Sequence, residues 1–283
     1  MKLAPFQYAA PTTVAEAVAL LGSCDAKALS GGQSLMPILA FRLAAPELLV
    51  DLKHVQGLDR IVIDATGVTL GAKVRWCDIE GDARLAVAHP LLAEAIKHVA
   101  HYQIRNRGTV GGSLAHADPA AEMPGIAVAC DAVLTLVGPK GARKVAAADF
   151  FEGALQTCLA PDELITEVLL PVWPKARRWG FQEFARRRGD FALAGIAAFY
   201  DVDSEGRAAN THIGVIGASD RPRRLALAEA AFDGKPASPD SIAAAARAAS
   251  LEVDPPSDIH APADYRRALV ETMVERALTH AAR

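Results

Sequence analysis

Apolar residues at Val14, Ala17, Val18 and Leu21 fall on one face at helical spacing, so "PTTVAEAVALLGS" predicts an amphipathic helix. Thr13 and Glu16 have capping-box spacing at its start, and Gly22 ends it. "KALSGGQS" predicts a short strand running into a glycine turn. "PELLVDLK" and "LDRIVIDATGVTLGAKV" are strand-like, with a turn at Gly67. "PLLAEAIKHVAHYQIRNRG" predicts a helix that gives way to a basic turn.

"GTVGGSLAHADPAAEMP" holds Gly108, Gly111, Gly112, Pro119 and Pro124, too many breakers for a long regular element. It predicts a loop leading into a helix around "PAAEMPGIAVAC". "AVLTLVGPKGARKV" predicts a hairpin turning at "GPKG", and "PDELITEVLLPVW" a turn followed by a strand. Two prolines and three cations in "PVWPKARRWG" interrupt the pattern and mark a boundary. Beyond it come strands around a turn at "DSEGR", then helices in "PDSIAAAARAAS" and "ADYRRALVETMVERALTHAAR". Leu269, Met273, Val274 and Leu278 form the last helix's apolar stripe. Strands and helices mix throughout, which predicts an α+β or α/β chain of two domains. The expected division is 1–175, itself two lobes split near residue 56, and 176–283.

The bulk numbers narrow the function. A chain of 283 residues that is 51% hydrophobic and 22% charged can bury a proper core. A formal net charge of −3 lacks the basic excess that a nucleic-acid partner demands. Cys24, Cys77, Cys130 and Cys158 are scattered, with no C-x-x-C pair. They suit neither a zinc site, a locally encoded iron–sulfur cluster nor a disulfide framework, so a reducing cytoplasm is the expected compartment. The start "MKLAPFQYAAPTT" lacks the apolar stretch of a signal peptide, and no run of about eighteen apolar residues predicts a membrane span.

Candidate chemistry centres on two glycine pairs. Each alone is an ordinary turn signal. Together, Ser30-Gly31-Gly32-Gln33-Ser34 and Thr109-Val110-Gly111-Gly112-Ser113 could bring bare backbone and small hydroxyls around one ligand. Successive N–H groups could then cradle a pyrophosphate. Neither segment is a Walker A loop or a G-x-G-x-x-G fingerprint, which disfavours P-loop and Rossmann nucleotide sites.

"SGGQSLMP" and "TVGGSLAHADPAAEMP" resemble the two FAD-binding segments of the medium, flavoprotein subunits of molybdenum hydroxylases, the carbon monoxide dehydrogenase and xanthine dehydrogenase type. "QIRNRGTVGG", "PDELITEVLLP", "FARRRGDFALAGIA", "VIGASDRPRRL" and "YRRALVETMVERAL" follow in that family's order, so the resemblance spans nearly the whole chain. It implies an α+β chain: a two-lobed FAD-binding domain of the molybdenum-hydroxylase/vanillyl-alcohol-oxidase type, then a smaller α+β C-terminal domain. It also implies FAD between the lobes, held by Leu29, Ser30, Gly31, Gly32, Gln33, Ser34, Leu35 and Met36 on one side. Thr109, Val110, Gly111, Gly112 and Ser113 would close from the other. On this reading the four paired glycines leave room that a Cβ would take from the pyrophosphate.

The resemblance further implies that Glu122 lies near the ribityl hydroxyls, that Ile165 packs on the isoalloxazine, and that His116 lies near the flavin. For His116 a plain loop position stays equally open. Ser113 replaces a common asparagine, and Glu122 a common aspartate. Gln182 stands where the xanthine dehydrogenase type has a lysine near the flavin. Partners implied are a molybdopterin-binding large subunit and a small subunit with [2Fe–2S] clusters. The chain would carry electrons through FAD to NAD, a quinone or another acceptor, with no catalytic residue of its own. A self-contained FAD oxidase or reductase and a scaffold that has lost its ligand stay open as alternatives. Arg186–Arg188 read as a solvated or docking face, with Asp190 capping or pairing with one of them. His98 and His101 lack the neighbours of a metal site. "YRRALV" reads as helix packing plus a surface salt bridge.

Overall fold

The computed structural model describes residues 2–283. The first lobe is a parallel sheet in the order β1 (Gln7–Ala9), β3 (Leu48–Asp51), β2 (Ala26–Leu29). The Val14–Leu21 helix links β1 to β2, and a helix at Leu35–Ala40 precedes β3. The capping box forms as its spacing predicts: Glu16 N–H donates to Thr13 Oγ1 at 3.2 Å, and Thr13 N–H to Glu16 Oε2 at 3.3 Å. Ala17, Val18 and Leu21 bury against Leu48 and Val50, with Leu164 contributed from far along the chain.

The second lobe is an antiparallel five-stranded sheet with helices packed on it. Its strands are β4 (Ile61–Asp64), β5 (Gly67–Gly71), β6 (Val133–Gly138), β7 (Gly141–Ala146) and, after a small hairpin of β8 (Phe151–Gly153) and β9 (Gln156–Thr157), β10 (Leu164–Pro171). The order is β4-β5-β10-β6-β7. "GPKG" closes the β6–β7 hairpin, pairing Gly138 with Gly141. The fully buried helix Glu122–Ala129 runs beneath, and its lack of a polar face follows from being covered all round.

Residues 172–177 lead to an antiparallel sheet of β11 (Arg178–Phe184), β12 (Ala194–Val202), β13 (Ala208–Ile216) and β14 (Arg223–Arg224). Both its faces are covered, which explains the near-continuous apolar run "AGIAAFY" in β12. Ala197 and Phe199 pack into the core of the second lobe, while Ala194, Ile196, Ala198 and Tyr200 pack against the helices Ala226–Phe232, Pro239–Glu252 and Ala263–Ala281. Strand alternation thus sends neighbouring residues to different bodies. Leu269, Met273, Val274 and Leu278 are buried on the last helix, as their spacing predicts. No helix among the described residues is long and apolar enough to cross a membrane.

Two local expectations change. The helix expected over 90–105 is three pieces, Pro90–Ala95, a 3-10 turn at Ile96–His98, and Tyr102–Arg105. Arg105 Nη1 donates to the Val99 and Ala100 carbonyls at 3.0 and 3.1 Å, holding the break open. The "TVGG" glycine pair is not loop: it is the first turn of a helix, Val110–His116, capped by Thr109. In "YRRALV" the expected packing and surface salt bridge divide between two arginines: Arg266 is 4% exposed and donates to the Leu193 and Gly217 carbonyls and to Asp258, while Arg267 pairs at the surface with Asp254 and Asp264, each at 3.0 Å.

Candidate functional site

A cavity of about 850 Å³ opens between the two lobes, beside the loop that joins β11 to β12. That volume lies in the upper part of the range for small-molecule sites, about 300–1,000 Å³. One wall is the stretch Ser30–Leu35, a second is the start of the Val110–His116 helix, and a third is Leu164–Ile165 on β10. The β8–β9 hairpin and the loop Gly189–Phe191 border it as well, and Phe191 is 62% exposed there.

The two glycine segments touch each other. Ser30 Oγ and Thr109 Oγ1 are 2.9 Å apart, and Thr109 Oγ1 also accepts the Gly112 N–H at 3.2 Å. A Cβ on Gly31 would collide with the Arg107 carbonyl. On Gly111 it would lie 2.6 Å from Ala72 Cβ, and on Gly108 2.6 Å from Trp76 Nε1. The expectation that these glycines make room for the ligand is therefore corrected for Gly31 and Gly111. They make room first for the neighbouring chain, and the wall they build then faces the cavity. Gly32 differs, since its φ of +73° is a left-handed conformation that glycine adopts at least cost.

The two segments also differ in free donors. Val110 N–H donates to the Val74 carbonyl at 2.9 Å, Gly111 N–H to Ala72 at 2.8 Å, and Ser113 N–H to Thr109 at 3.0 Å. With Gly112 bound to Thr109, no nest of free N–H groups remains in the second segment. Among the described residues, the N–H groups of Gly31, Gly32, Gln33 and Ser34 have no protein acceptor. Free backbone N–H groups therefore come from the first segment only, and the second presents the Thr109 and Ser113 hydroxyls to the cavity.

Of the other expected residues, His116, Glu122 and Ile165 line the cavity. Leu29, Met36 and Val110 do not: Val110 is fully buried, and Leu29 and Met36 each lie 3.3 Å from where a Cβ on Gly32 would be. Gln182 lies elsewhere, in a separate groove with Thr272, Arg276 and His280 of the last helix. The cause is the β11 pleat, which turns Gln182 toward that helix and its neighbours Phe181 and Glu183 toward the second lobe. Asp118, inside the quoted "AHADPAAE", is a further cavity residue that the glycine motifs do not mark. It lines the cavity with Oδ1 tied to the Ala120 N–H at 2.9 Å. Its signal was a carboxylate two residues past His116, just after Ala117 breaks the helix at φ +53°.

The electrostatics are uneven. Glu122 is only 6% exposed, and burial pushes its carboxyl above the ordinary range, with the charge of Asp118 adding to the effect. Burial likewise raises Glu183, and the charge of Glu122 adds there. At the junction of lobe and C-terminal sheet, burial pushes the His89 imidazole down to about 3. It stays neutral, with Nδ1 accepting the Leu92 N–H and its ring 4.5 Å from that of Trp173.

Residues 4–173 match the family described as the FAD binding domain in molybdopterin dehydrogenase, and residues 179–281 the CO dehydrogenase flavoprotein C-terminal domain. The chain is 39% identical over 282 residues to the nicotine 6-hydroxylase medium subunit of Paenarthrobacter nicotinovorans, covering 99% of both. It is 36% identical to the carbon monoxide dehydrogenase medium chain of Hydrogenophaga pseudoflava, over 98% of this chain and 96% of that one. Among solved structures, a carbon monoxide dehydrogenase from Hydrogenophaga pseudoflava superposes with a TM-score of 0.96 at 38% identity, covering 99% of this chain and 98% of that one. Quinoline 2-oxidoreductase from Pseudomonas putida 86 superposes with a TM-score of 0.95 at 37% identity, over 100% and 98% of the two chains. The cavity fits FAD: unpaired N–H groups and hydroxyls at one part suit a pyrophosphate, and the apolar wall at Leu164, Ile165 and Trp76 suits a flat ring system.

Proposed function

This chain belongs to the FAD-binding medium subunits of molybdenum hydroxylases, and on that premise we propose that it seats FAD in the cavity and passes electrons from [2Fe–2S] clusters of a partner subunit to an acceptor such as NAD or a quinone. Substrate hydroxylation would take place on a molybdopterin-binding partner, in a hetero-oligomer working in the cytoplasm. Residues 1–175 would act as the FAD-binding domain and 176–283 as the C-terminal domain. When bound, FAD supplies the redox chemistry, because it exchanges electrons singly or in pairs.

The chain's own residues bind and orient. The free N–H groups of Gly31–Ser34 would hold the pyrophosphate, together with the hydroxyls of Ser30, Thr109 and Ser113. Asp118, with one carboxylate oxygen already fixed by Ala120, would accept from ribityl hydroxyls through the other. Ile165, on the β10 wall, would set the plane of the isoalloxazine. The observation that carries this reading is the Ser30–Thr109 contact, which joins both expected segments on one cavity.

A self-contained oxidase is less favoured, because the C-terminal sheet has one face on the second lobe and the other under its own helices. Neither face is left for a substrate cap. The test is retention of FAD against FMN by the full chain after desalting, in wild type and Ser113→Asp. Ser113 lies on the cavity wall rather than in the core, so the added carboxylate meets the ligand. Wild type should keep FAD and release FMN, and the variant should release both. Equal FAD retention by the two proteins would refute the seating.

A further inference from the structure

Glu183 leaves β11 on the side facing the second lobe, opposite to Gln182. Its Cγ lies 3.5 Å from where a Cβ on Gly195 would be, and Ile216 Cβ lies 3.3 Å from the same point. Ile216 in turn fills the space that a Cβ on Gly125 would need. Gly125 is one helical turn after Glu122, so the two share a face. Two missing Cβ atoms, at Gly125 and Gly195, thus let the Glu122–Ala129 helix settle close onto the C-terminal sheet. That approach sets Glu122, on the cavity wall, beside Glu183 behind it.

The pair has little compensation: Glu122 has its own backbone N–H, which favours the ionised form but is outweighed by burial. Among the described residues, Glu183 Oε2 is buried with no hydrogen bond, and Glu122 makes no ion pair. The charged groups acting on Glu122 and Glu183 are all acids: Asp118 from the preceding loop on Glu122, and Glu122 itself on Glu183. No cation offsets them from either element. Two carboxylates confined together at low dielectric cannot both ionise cheaply, so such a pair keeps a proton that isolated carboxyls would lose.

We propose that Glu122 and Glu183 share one proton behind the FAD cavity, and that FAD binding draws a further fraction of a proton onto this pair from solution. The inference rests on FAD occupying the cavity. Bound FAD would exclude water from the Glu122 side of the wall and bring an anionic pyrophosphate into the same cavity. Both effects disfavour the ionised carboxylate. Glu183 is a positioning residue: it sits behind the wall and sets whether Glu122 meets the ligand as a hydrogen-bond donor or only as an acceptor.

The experiment is calorimetric titration of the FAD-free full chain with FAD, near neutral pH, in two buffers of different ionisation heat. Wild type should take up protons on binding. Glu183→Gln should lose most of that uptake, and the double variant Glu122→Gln, Glu183→Gln all of it. A role in packing alone would leave the proton count unmoved. FAD binding without proton uptake, or equal uptake by wild type and the double variant, would overturn the inference and leave the FAD reading intact. Failure of FAD to bind would take both down. Infrared spectra of the FAD-free chain give an independent readout: a protonated-carboxyl band should persist near neutral pH and vanish in the double variant, and its absence from wild type would also overturn the inference.

Discussion

Ser30 Oγ and Thr109 Oγ1 lie 2.9 Å apart although 79 positions separate the residues. Thr109 is also the N-cap of the Val110–His116 helix, so one hydroxyl both starts that helix and ties it to the other lobe. The cavity wall is thereby built before any ligand arrives.

This double duty makes Thr109→Ala and Ser30→Ala separable. Loss of an N-cap costs roughly 0.5–2 kcal/mol, so Thr109→Ala should lower stability by about 1 kcal/mol. Ser30→Ala keeps the cap and should cost less. Both should weaken FAD binding, measured by fluorescence titration, while only Thr109→Ala clearly shifts the urea midpoint.

Gly111 predicts a packing effect. In Gly111→Ala the new methyl would lie 2.6 Å from Ala72 Cβ and 2.9 Å from the Ala72 carbonyl oxygen. Overpacking of this kind costs about 1–3 kcal/mol. Gly81→Ala meets nothing within 4 Å at the end of its helix and should be neutral or slightly stabilising. Chemical denaturation of the two variants side by side checks the contrast.

Arg266 holds the C-terminal body together from inside. Its guanidinium donates to the Leu193 and Gly217 carbonyls at 2.8 and 2.9 Å and to Asp258 at 2.7 Å. Arg266→Met would leave two buried carbonyls without a donor, at about 1–3 kcal/mol each. Thermal melting should show a large drop, and Arg266→Lys should recover little of it, because an ammonium cannot reproduce the planar fork.

The acid pair predicts a pH dependence with a definite sign. Both carboxyls are raised in the folded chain by burial, and each further by a neighbouring acid. Above the unfolded carboxyl range, near 4.3, the folded state therefore binds more protons than the unfolded one. Their contribution to stability is full below that range and is lost as pH rises through the raised values. Glu183→Gln should flatten this decline, so that the variant gains on wild type toward alkaline pH. Unfolding midpoints at several pH values measure it, and parallel curves would contradict it.

Much of the molecule was legible along the chain because local chemistry set it. Thr13 and Glu16 cap a helix through bonds only three residues apart. Gly138 and Gly141 close a hairpin, and the stripe through Leu269 and Leu278 buries. The two glycine segments could be matched to a flavin site because their order and composition are distinctive. The Ala226–Phe232 helix has no such local mark, since "RLALAEAAFDG" offers Leu225 where a capping side chain would stand.

The sequence by itself determined where many strands and helices lie, since caps, turns and periodicity act over a few residues. Only the tertiary structure decided which backbone N–H groups remain free. Those of Val110 and Gly111 are consumed by carbonyls at 74 and 72, while those of Gly31–Ser34 are not. It also decided which of two adjacent residues on β11 faces the cavity side. A strand's pleat alternates by one residue, and which face turns inward depends on what packs against the sheet. Hydrogen-bond partners and facing bodies are non-local, so spacing along the chain carries no record of them.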